Sequence, residues 1–100
     1  MLVHTVLFWL RKDLRDDELT EFQAGLETLK EIKSAEAVYV GSPAETKPRP
    51  GILINTYDFC LTVILKDIKA HDAYQADPLH KTFIKTYSPY WKRVRVYDAD

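Results

Sequence analysis

The chain has 100 residues, of which 46% are hydrophobic and 29% are charged, and its formal net charge is −1. A chain of this length and composition is expected to form one soluble globular domain over residues 1–100. The balanced charge argues against nucleic-acid or membrane-surface binding, and no apolar run approaches the ~20 residues of a membrane span. The single cysteine, Cys60, cannot form an intramolecular disulfide, so we expect a cytoplasmic protein.

Residues 2–10, LVHTVLFWL, are predicted to form the first strand, because β-branched and aromatic side chains dominate them. No basic region precedes this stretch, which argues against a signal peptide. Successive side chains of a strand point to opposite faces. Both faces are apolar here, one with Val6, Phe8 and Leu10, and the other with Val3, Leu7 and Trp9. We therefore expect both faces to be covered, one of them by a second copy of the chain.

A helix is predicted over residues 16–33, because apolar residues recur there at the helical period: Leu19, Phe22, Leu26, Leu29 and Ile32. Gly25 lies within this segment, and we interpret it as a tolerated defect rather than as a site of close backbone approach. Residues 35–40, AEAVYV, are predicted to form the second strand. Residues 42–51 contain three prolines and are predicted to form a surface loop, or alternatively a lid.

Residues 52–65 are predicted to form a second long strand, in which Asp58 is the one charged residue. A carboxylate in this position indicates the edge or the end of a strand, or alternatively pairing with an inward-facing cation. Cys60 lies two residues after Asp58, and no histidine or other basic side chain that could activate its thiol lies beside it in the sequence. We interpret Cys60 as a small core residue.

The second half of the chain is predicted to contain two short helical segments and a last strand. Asp67 is a favourable cap for a helix that ends near residue 75, and Asp77 followed by Pro78 begins a second segment to about residue 87. The last strand is predicted over residues 90–97. Its alternation places Val94 and Val96 on one face, and on the other Trp91, Arg93, Arg95 and Tyr97.

The predicted element order is β-α-β-β-α-β, the split βαβ arrangement, which implies an α+β, ferredoxin-like domain. This topology gives a four-stranded antiparallel sheet with the helices on one face. The other face would carry the second apolar side of the first strand and the row that begins with Trp91, and such a patch is unfavourable on a monomer. Two sheets packed face to face across a two-fold axis would bury it, so we predict a homodimer.

Histidines are the candidate functional residues, because histidine titrates near neutral pH. If His4 faces the helices, it can meet His80 between the sheet and the helices, close to Tyr74. Such a group could bind a carbonyl or an enol and move a proton; alternatively, both histidines are packing residues. His71 is expected to be solvated. Asp58, His4 and His80 have metal-binding donor types, but their spacing matches no recognised pattern, so we predict no metal and no cofactor.

Several segments together resemble the stress-responsive A/B barrel family of dimeric α/β barrel domains: VHTVLFWL, VYVGSPA, YDFCLTVIL, HDAYQADPLHKTF and WKRVRVYD. The resemblance covers essentially the whole chain. Its most specific parts are His4 and the segment Y-x-x-D-P-x-H, where the family usually has H-P-x-H. It implies a ferredoxin-like subunit and a homodimer whose sheets form a barrel. The family includes stress-induced plant proteins, a plant polyketide cyclase and many bacterial members without an assigned activity.

Similarity to the cyclase implies roles for three residues of this chain. His80 and His4 match its catalytic histidines, and Tyr74 matches an assisting tyrosine, whereas a further tyrosine of the first helix is replaced here in the segment around Gly25. The resemblance therefore does not imply the same polyketide substrate. We expect a homodimer that binds a small organic molecule between sheet and helices, with cofactor-free acid/base chemistry of the cyclase or isomerase type. The alternative is a stress-associated structural dimer without catalysis.

Overall fold

A computed structural model describes all residues from Met1 to Asp100. The elements are β1 (Leu2–Leu10), α1 (Asp16–Thr28), β2 (Ala35–Gly41), β3 (Phe59–Leu65), α2 (Ile68–Ala76), α3 (Pro78–Tyr87) and β4 (Trp91–Ala99). Short 3-10 turns follow α1 and α3. The strands form one antiparallel sheet in the order β2-β3-β1-β4. The predicted ferredoxin-like α+β fold is therefore confirmed.

The core lies between one face of the sheet and the helices. Along β1 the even-numbered residues are buried and the odd-numbered ones are partly exposed. Phe22 of α1 is fully buried at the centre of this core. Its ring centre lies 5.4–6.3 Å from those of five other aromatic residues, Phe8, Phe59, Phe83, Tyr87 and Tyr90. Aromatic packing of this kind holds α1 and α3 on the same face of the sheet.

The third strand is shorter than the predicted 52–65, since it begins at Phe59. The pairing of β3 with β1 extends only as far as Phe59, and its pairing with β2 only as far as Cys60. Ile52 and Leu53 instead donate their backbone N–H groups to the carbonyl of Arg49, in a turn. The connection between β2 and β3 therefore spans residues 42–58, longer than the predicted loop.

Asp58 lies at the entrance to β3, which confirms its interpretation as a strand-end residue. Its backbone N–H donates to the carbonyl of Phe8 at 2.8 Å, and its Oδ2 accepts from the N–H of Leu10 at 2.8 Å.

Cys60 stands opposite Leu7 on the partly exposed face of the sheet, so its interpretation as a core residue is wrong.

A register irregularity in the pairing of β1 with β4 places Trp91 on the helix side of the sheet. Trp9 is opposite Arg93, but Leu10 is opposite Trp91, and the shift lies between Trp9 and Leu10. The Trp91 ring centre is 5.5 Å from that of Phe8. The prediction that Trp91 shares a face with the arginines is therefore wrong, because the bulge reverses its direction. The rest of the row stays on the other face: Arg93, Arg95 and Tyr97.

We call the face of the sheet away from the helices the open face. By register it is formed by Val3, Thr5, Leu7 and Trp9 of β1, Cys60, Thr62 and Ile64 of β3, and Arg93, Arg95 and Tyr97 of β4. The Arg93 guanidinium lies 4.7 Å from the centre of the Trp9 ring. None of these residues carries a negative charge, so the part of the open face that they form is apolar and basic.

Gly25 of α1 permits a close approach of α3, so its interpretation as a tolerated defect is wrong. A Cβ atom at this position would overlap the ring of Tyr87. That ring is itself packed against Phe22, Phe83 and Tyr90, which leaves it little room to move.

Gly25→Ala is expected to lower the melting temperature. Alanine favours a helix by roughly 1 kcal/mol over glycine, but overpacking a filled core costs about 1–3 kcal/mol, so the clash with Tyr87 outweighs the helical gain. Gly41→Ala is the matched control, because no atom lies within 4 Å of its added Cβ, and it should change the melting temperature little. Thermal unfolding followed by circular dichroism measures both. A Gly25→Ala protein as stable as wild type would contradict the close approach.

Candidate functional site

His4 and Asp98 form a hydrogen-bonded pair across β1 and β4. They stand directly opposite one another in the sheet, and Nδ1 of His4 lies 2.5 Å from Oδ1 of Asp98. His4 is 4% exposed and points towards the helices, as a shared site with His80 requires. A carboxylate that accepts the hydrogen on Nδ1 fixes the tautomer of the imidazole and leaves Nε2 as its other polar atom.

His80 is the third residue of α3 and lies in its first turn, as the sequence predicts. Asp77 caps this helix, since its Oδ1 accepts from the N–H of Leu79 at 2.9 Å. Burial lowers the pKa of His80 below its ordinary value of 6.5 and the neighbouring His4 lowers it further, while the Gln75 backbone and Asp77 act in the opposite direction. The imidazole is therefore neutral near pH 7, which is the form that a general base requires.

Tyr74 packs against both imidazoles. Its ring centre is 5.9 Å from that of His4 and 4.9 Å from that of His80. The side chain is fully buried, and burial raises its pKa well above the ordinary value of 10, so the phenol stays protonated. Its hydroxyl has no hydrogen-bond partner in the protein. Tyr74 thus holds a free donor beside the two histidines.

A cavity of about 190 Å³ lies between the sheet and the helices, and both His4 and His80 lie on its wall. Nine of its 12 lining residues are hydrophobic, and the three polar ones are His4, Gln75 and His80. The apolar wall combines residues of β1, α3 and β4, among them Phe8, Phe83, Trp91 and Val94. Tyr74 does not line this cavity but packs against both imidazoles. The structure therefore brings the two histidines to one space and places Tyr74 in contact with both.

Two residues near this group are not anticipated by the sequence reasoning. Asp98 lies just beyond the strand predicted over residues 90–97, although the alternation through Val94 and Val96 continues to it and would have placed it on their face. His71, expected to be solvated, has a side chain only 20% exposed. Its ring centre lies 5.2 Å from that of His4.

Asp58 is not part of this group. It bonds to the backbone of Phe8 and Leu10, at the opposite end of β1 from His4. At about 3.3 Å per residue along a strand, these positions are too far apart to share an ion. The combination of Asp58, His4 and His80 as metal ligands is therefore excluded.

Comparison with known proteins identifies a family. The family model of the Stress Responsive A/B Barrel Domain matches residues 2–100. None of the curated protein sequences matches this chain. In addition, none of its helices has the length and hydropathy needed to span a membrane.

Solved structures with the same fold cover almost the whole chain. A Dabb family protein with a ferredoxin-like fold from Mesorhizobium loti is 21% identical with a TM-score of 0.80, and the match covers 99% of this chain and 94% of that one. A dimeric ferredoxin-like protein of unknown function from Thermobifida fusca is 19% identical with a TM-score of 0.79, covering 98% and 88%. A hydroxynitrile lyase from Passiflora edulis is 13% identical with a TM-score of 0.80, covering 98% and 90%. At these identities the similarity shows a shared fold.

Proposed function

The chain belongs to the stress-responsive A/B barrel domain family, and on that premise we propose that it is a homodimer that binds a small, largely apolar organic molecule and transfers a proton on it without a cofactor. The observation that carries this proposal is the presence of two imidazoles on the wall of one apolar cavity. An apolar pocket with a few convergent polar groups is the usual form of a small-molecule site. The alternative is a structural dimer in which the same histidines only pack.

We infer the class of ligand from the size and the lining of the cavity. In another protein an apolar cavity of about 150 Å³ holds benzene, so a space of about 190 Å³ suits a compound with a single ring. The three polar residues on the wall, His4, Gln75 and His80, match a molecule with one carbonyl or enol group. A carbonyl with hydrogens on the adjacent carbon is the simplest ligand for acid/base chemistry here.

The two histidines have different roles in the proposed reaction. His80, neutral because its pKa is lowered, removes a proton from the carbon next to the carbonyl. His4 acts in its imidazolium form: its Nδ1–H is held by Asp98, and its Nε2–H is donated to the oxygen, as a hydrogen bond or as a proton, as negative charge develops there. If the proton on His80 returns to the same carbon, the result is hydrogen exchange; delivery to a different carbon gives an isomer, and a proton left on the oxygen gives an enol whose carbon can attack a second carbonyl to close a ring. Tyr74 positions both imidazoles through its ring contacts.

The homodimer is proposed from the open face. Leu7 and Trp9 are only partly covered in the single chain, and a second copy of the same face would shield them. The Thermobifida fusca relative is described as dimeric, which supports the same arrangement for this chain.

Exchange of hydrogen for deuterium on a simple ketone tests the proton transfer directly. Acetophenone and cyclohexanone each have one ring and exchangeable hydrogens beside the carbonyl, and NMR in D₂O follows the loss of those signals. We expect wild-type protein to accelerate exchange and His80→Gln to lower the rate by about 100-fold, since a general base contributes roughly 10²–10⁴-fold. Lys81→Gln, at the exposed neighbouring position, is the control and should retain the wild-type rate.

The pH dependence of the exchange rate identifies the base. Because the folded-state pKa of His80 lies below 6.5, its neutral form persists at pH 6.5, and the rate should fall only as the pH drops further. A fall centred above pH 6.5 would contradict His80 as the base. Binding without acceleration would exclude the catalytic part of the proposal, and the absence of both would favour the structural dimer.

A further inference from the structure

Three metal-binding side chains converge on the side of His4 that faces α2. One nitrogen of His4, one nitrogen of His71 and one carboxylate oxygen of Asp98 lie within 4.8 Å of one another. The three residues come from β1, α2 and β4 and are distant in the chain. Their proximity is a product of the fold, which is why no ligand spacing is visible in the sequence.

A second carboxylate orients His71 towards Asp98. Nδ1 of His71 lies 3.2 Å from Oδ1 of Asp72, and its Nε2 lies 3.9 Å from Oδ2 of Asp98. When Nδ1–H donates to Asp72, the lone pair on Nε2 faces Asp98. Metal-binding histidines in proteins are characteristically oriented by a carboxylate in this way.

Solvent reaches His71 and Asp98 through a cavity separate from the one beside His80. A cavity of about 370 Å³ is lined by His71 together with three carboxylates, Asp72, Asp98 and Asp100. Negative charge around a concave entrance raises the local concentration of cations. An ion can therefore arrive at His71 and Asp98 without passing through the apolar cavity beside His80.

We propose that His4, His71 and Asp98 bind a divalent ion with the preferences of Zn²⁺. Two imidazole nitrogens and one carboxylate oxygen form a donor set typical of open zinc sites, in which water takes the fourth position. Zinc bonds of about 2.0–2.1 Å place tetrahedral ligand atoms roughly 3.3 Å apart, so movements of about 1.5 Å by these side chains suffice. The ion replaces the hydrogen that His4 Nδ1 shares with Asp98. The proposal requires neither the apolar cavity nor His80, although it shares His4 and Asp98 with the proposed function.

Isothermal titration of the untagged, chelator-treated chain with Zn²⁺ tests this site. We expect one ion per chain with a micromolar or lower dissociation constant, and no comparable binding of Mg²⁺, which prefers oxygen ligands. His71→Gln should weaken zinc binding by at least about 100-fold, since it removes a ligand. His80→Gln also removes one histidine but should leave the affinity unchanged.

The orienting carboxylate gives a second, independent readout. Asp72→Asn should weaken zinc binding by about 10–100-fold, the usual effect of losing such a partner, whereas Asp100→Asn should change it less than about threefold. Circular dichroism without zinc confirms that each variant is folded. The proposal is overturned if wild type does not bind zinc in the micromolar range, or if folded His71→Gln binds as tightly as wild type. It is also overturned if His80→Gln loses the affinity that His71→Gln retains.

Discussion

Leu7→Lys should convert the proposed homodimer into monomers of 11.6 kDa. Leu7 lies on β1, an inner strand of the sheet, opposite Cys60 on one side and Arg95 on the other. A two-fold interface brings the same face of both copies together. Arg95 is basic and Cys60 is neutral, so a lysine at position 7 has no carboxylate directly opposite it in the sheet. Burying a charge without a partner costs several kcal/mol, which corresponds to a loss of affinity of more than about 100-fold.

Leu79→Lys is the control for this experiment, because it makes the same change on α3, on the other side of the sheet, where Leu79 is 38% exposed. Sedimentation velocity at micromolar concentration should show a dimer for wild type and Leu79→Lys and a monomer for Leu7→Lys. A dimeric Leu7→Lys protein would contradict an interface on the open face. If Leu79→Lys alone dissociates, the helices form the interface instead. Trp91, although apolar, is unsuitable for this test because it packs against Phe8 on the helix side.

Asp98→Asn should lower the exchange rate of acetophenone by about 100-fold while the fold is retained. The substitution removes the carboxylate charge that stabilises a protonated His4. It also removes the carboxylate that holds the hydrogen on Nδ1 of His4. In the serine-protease triad the same exchange of Asp for Asn lowers kcat by about 10⁴-fold. A smaller effect is expected here, because in the proposed reaction His80 and not His4 removes the proton from carbon.

Asp100→Asn changes the charge equally, two residues further along the chain, and should keep the wild-type rate. Both variants are measured with a chelator present, so that metal binding does not contribute to the difference. Melting temperatures show whether either variant is destabilised. An Asp98→Asn protein that is folded and exchanges as fast as wild type would restrict the pair of His4 and Asp98 to a structural role.

Elements whose signals are local were predictable from the sequence. Residues 2–10 form β1 as predicted, because side-chain composition and alternation act within the strand itself. The break before α3 is equally local, since the Asp77 carboxylate caps the helix and proline is favourable at its first position. The position of His80 in the first turn of α3 follows from this break. For His4, the strand allows two directions, towards the helices or towards the open face, and the sequence did not decide between them.

Features that depend on remote partners were decided by the tertiary structure. The start of β3 depends on where β1 and β2 end. The direction of the Trp91 side chain depends on the register shift between Trp9 and Leu10. The effect of Gly25 depends on the ring of Tyr87, which packs against it. None of these partners is visible in the local pattern.

The candidate site divides in the same way. The sequence suggested His4, His80 and Tyr74 as neighbours, but Asp98 and His71 join them only because strand register and the packing of α2 bring them there. Residue type and periodicity determine which face of an element a side chain occupies. The distance between two functional atoms on different elements is determined by register and packing, which arise only when the whole sheet and its helices assemble.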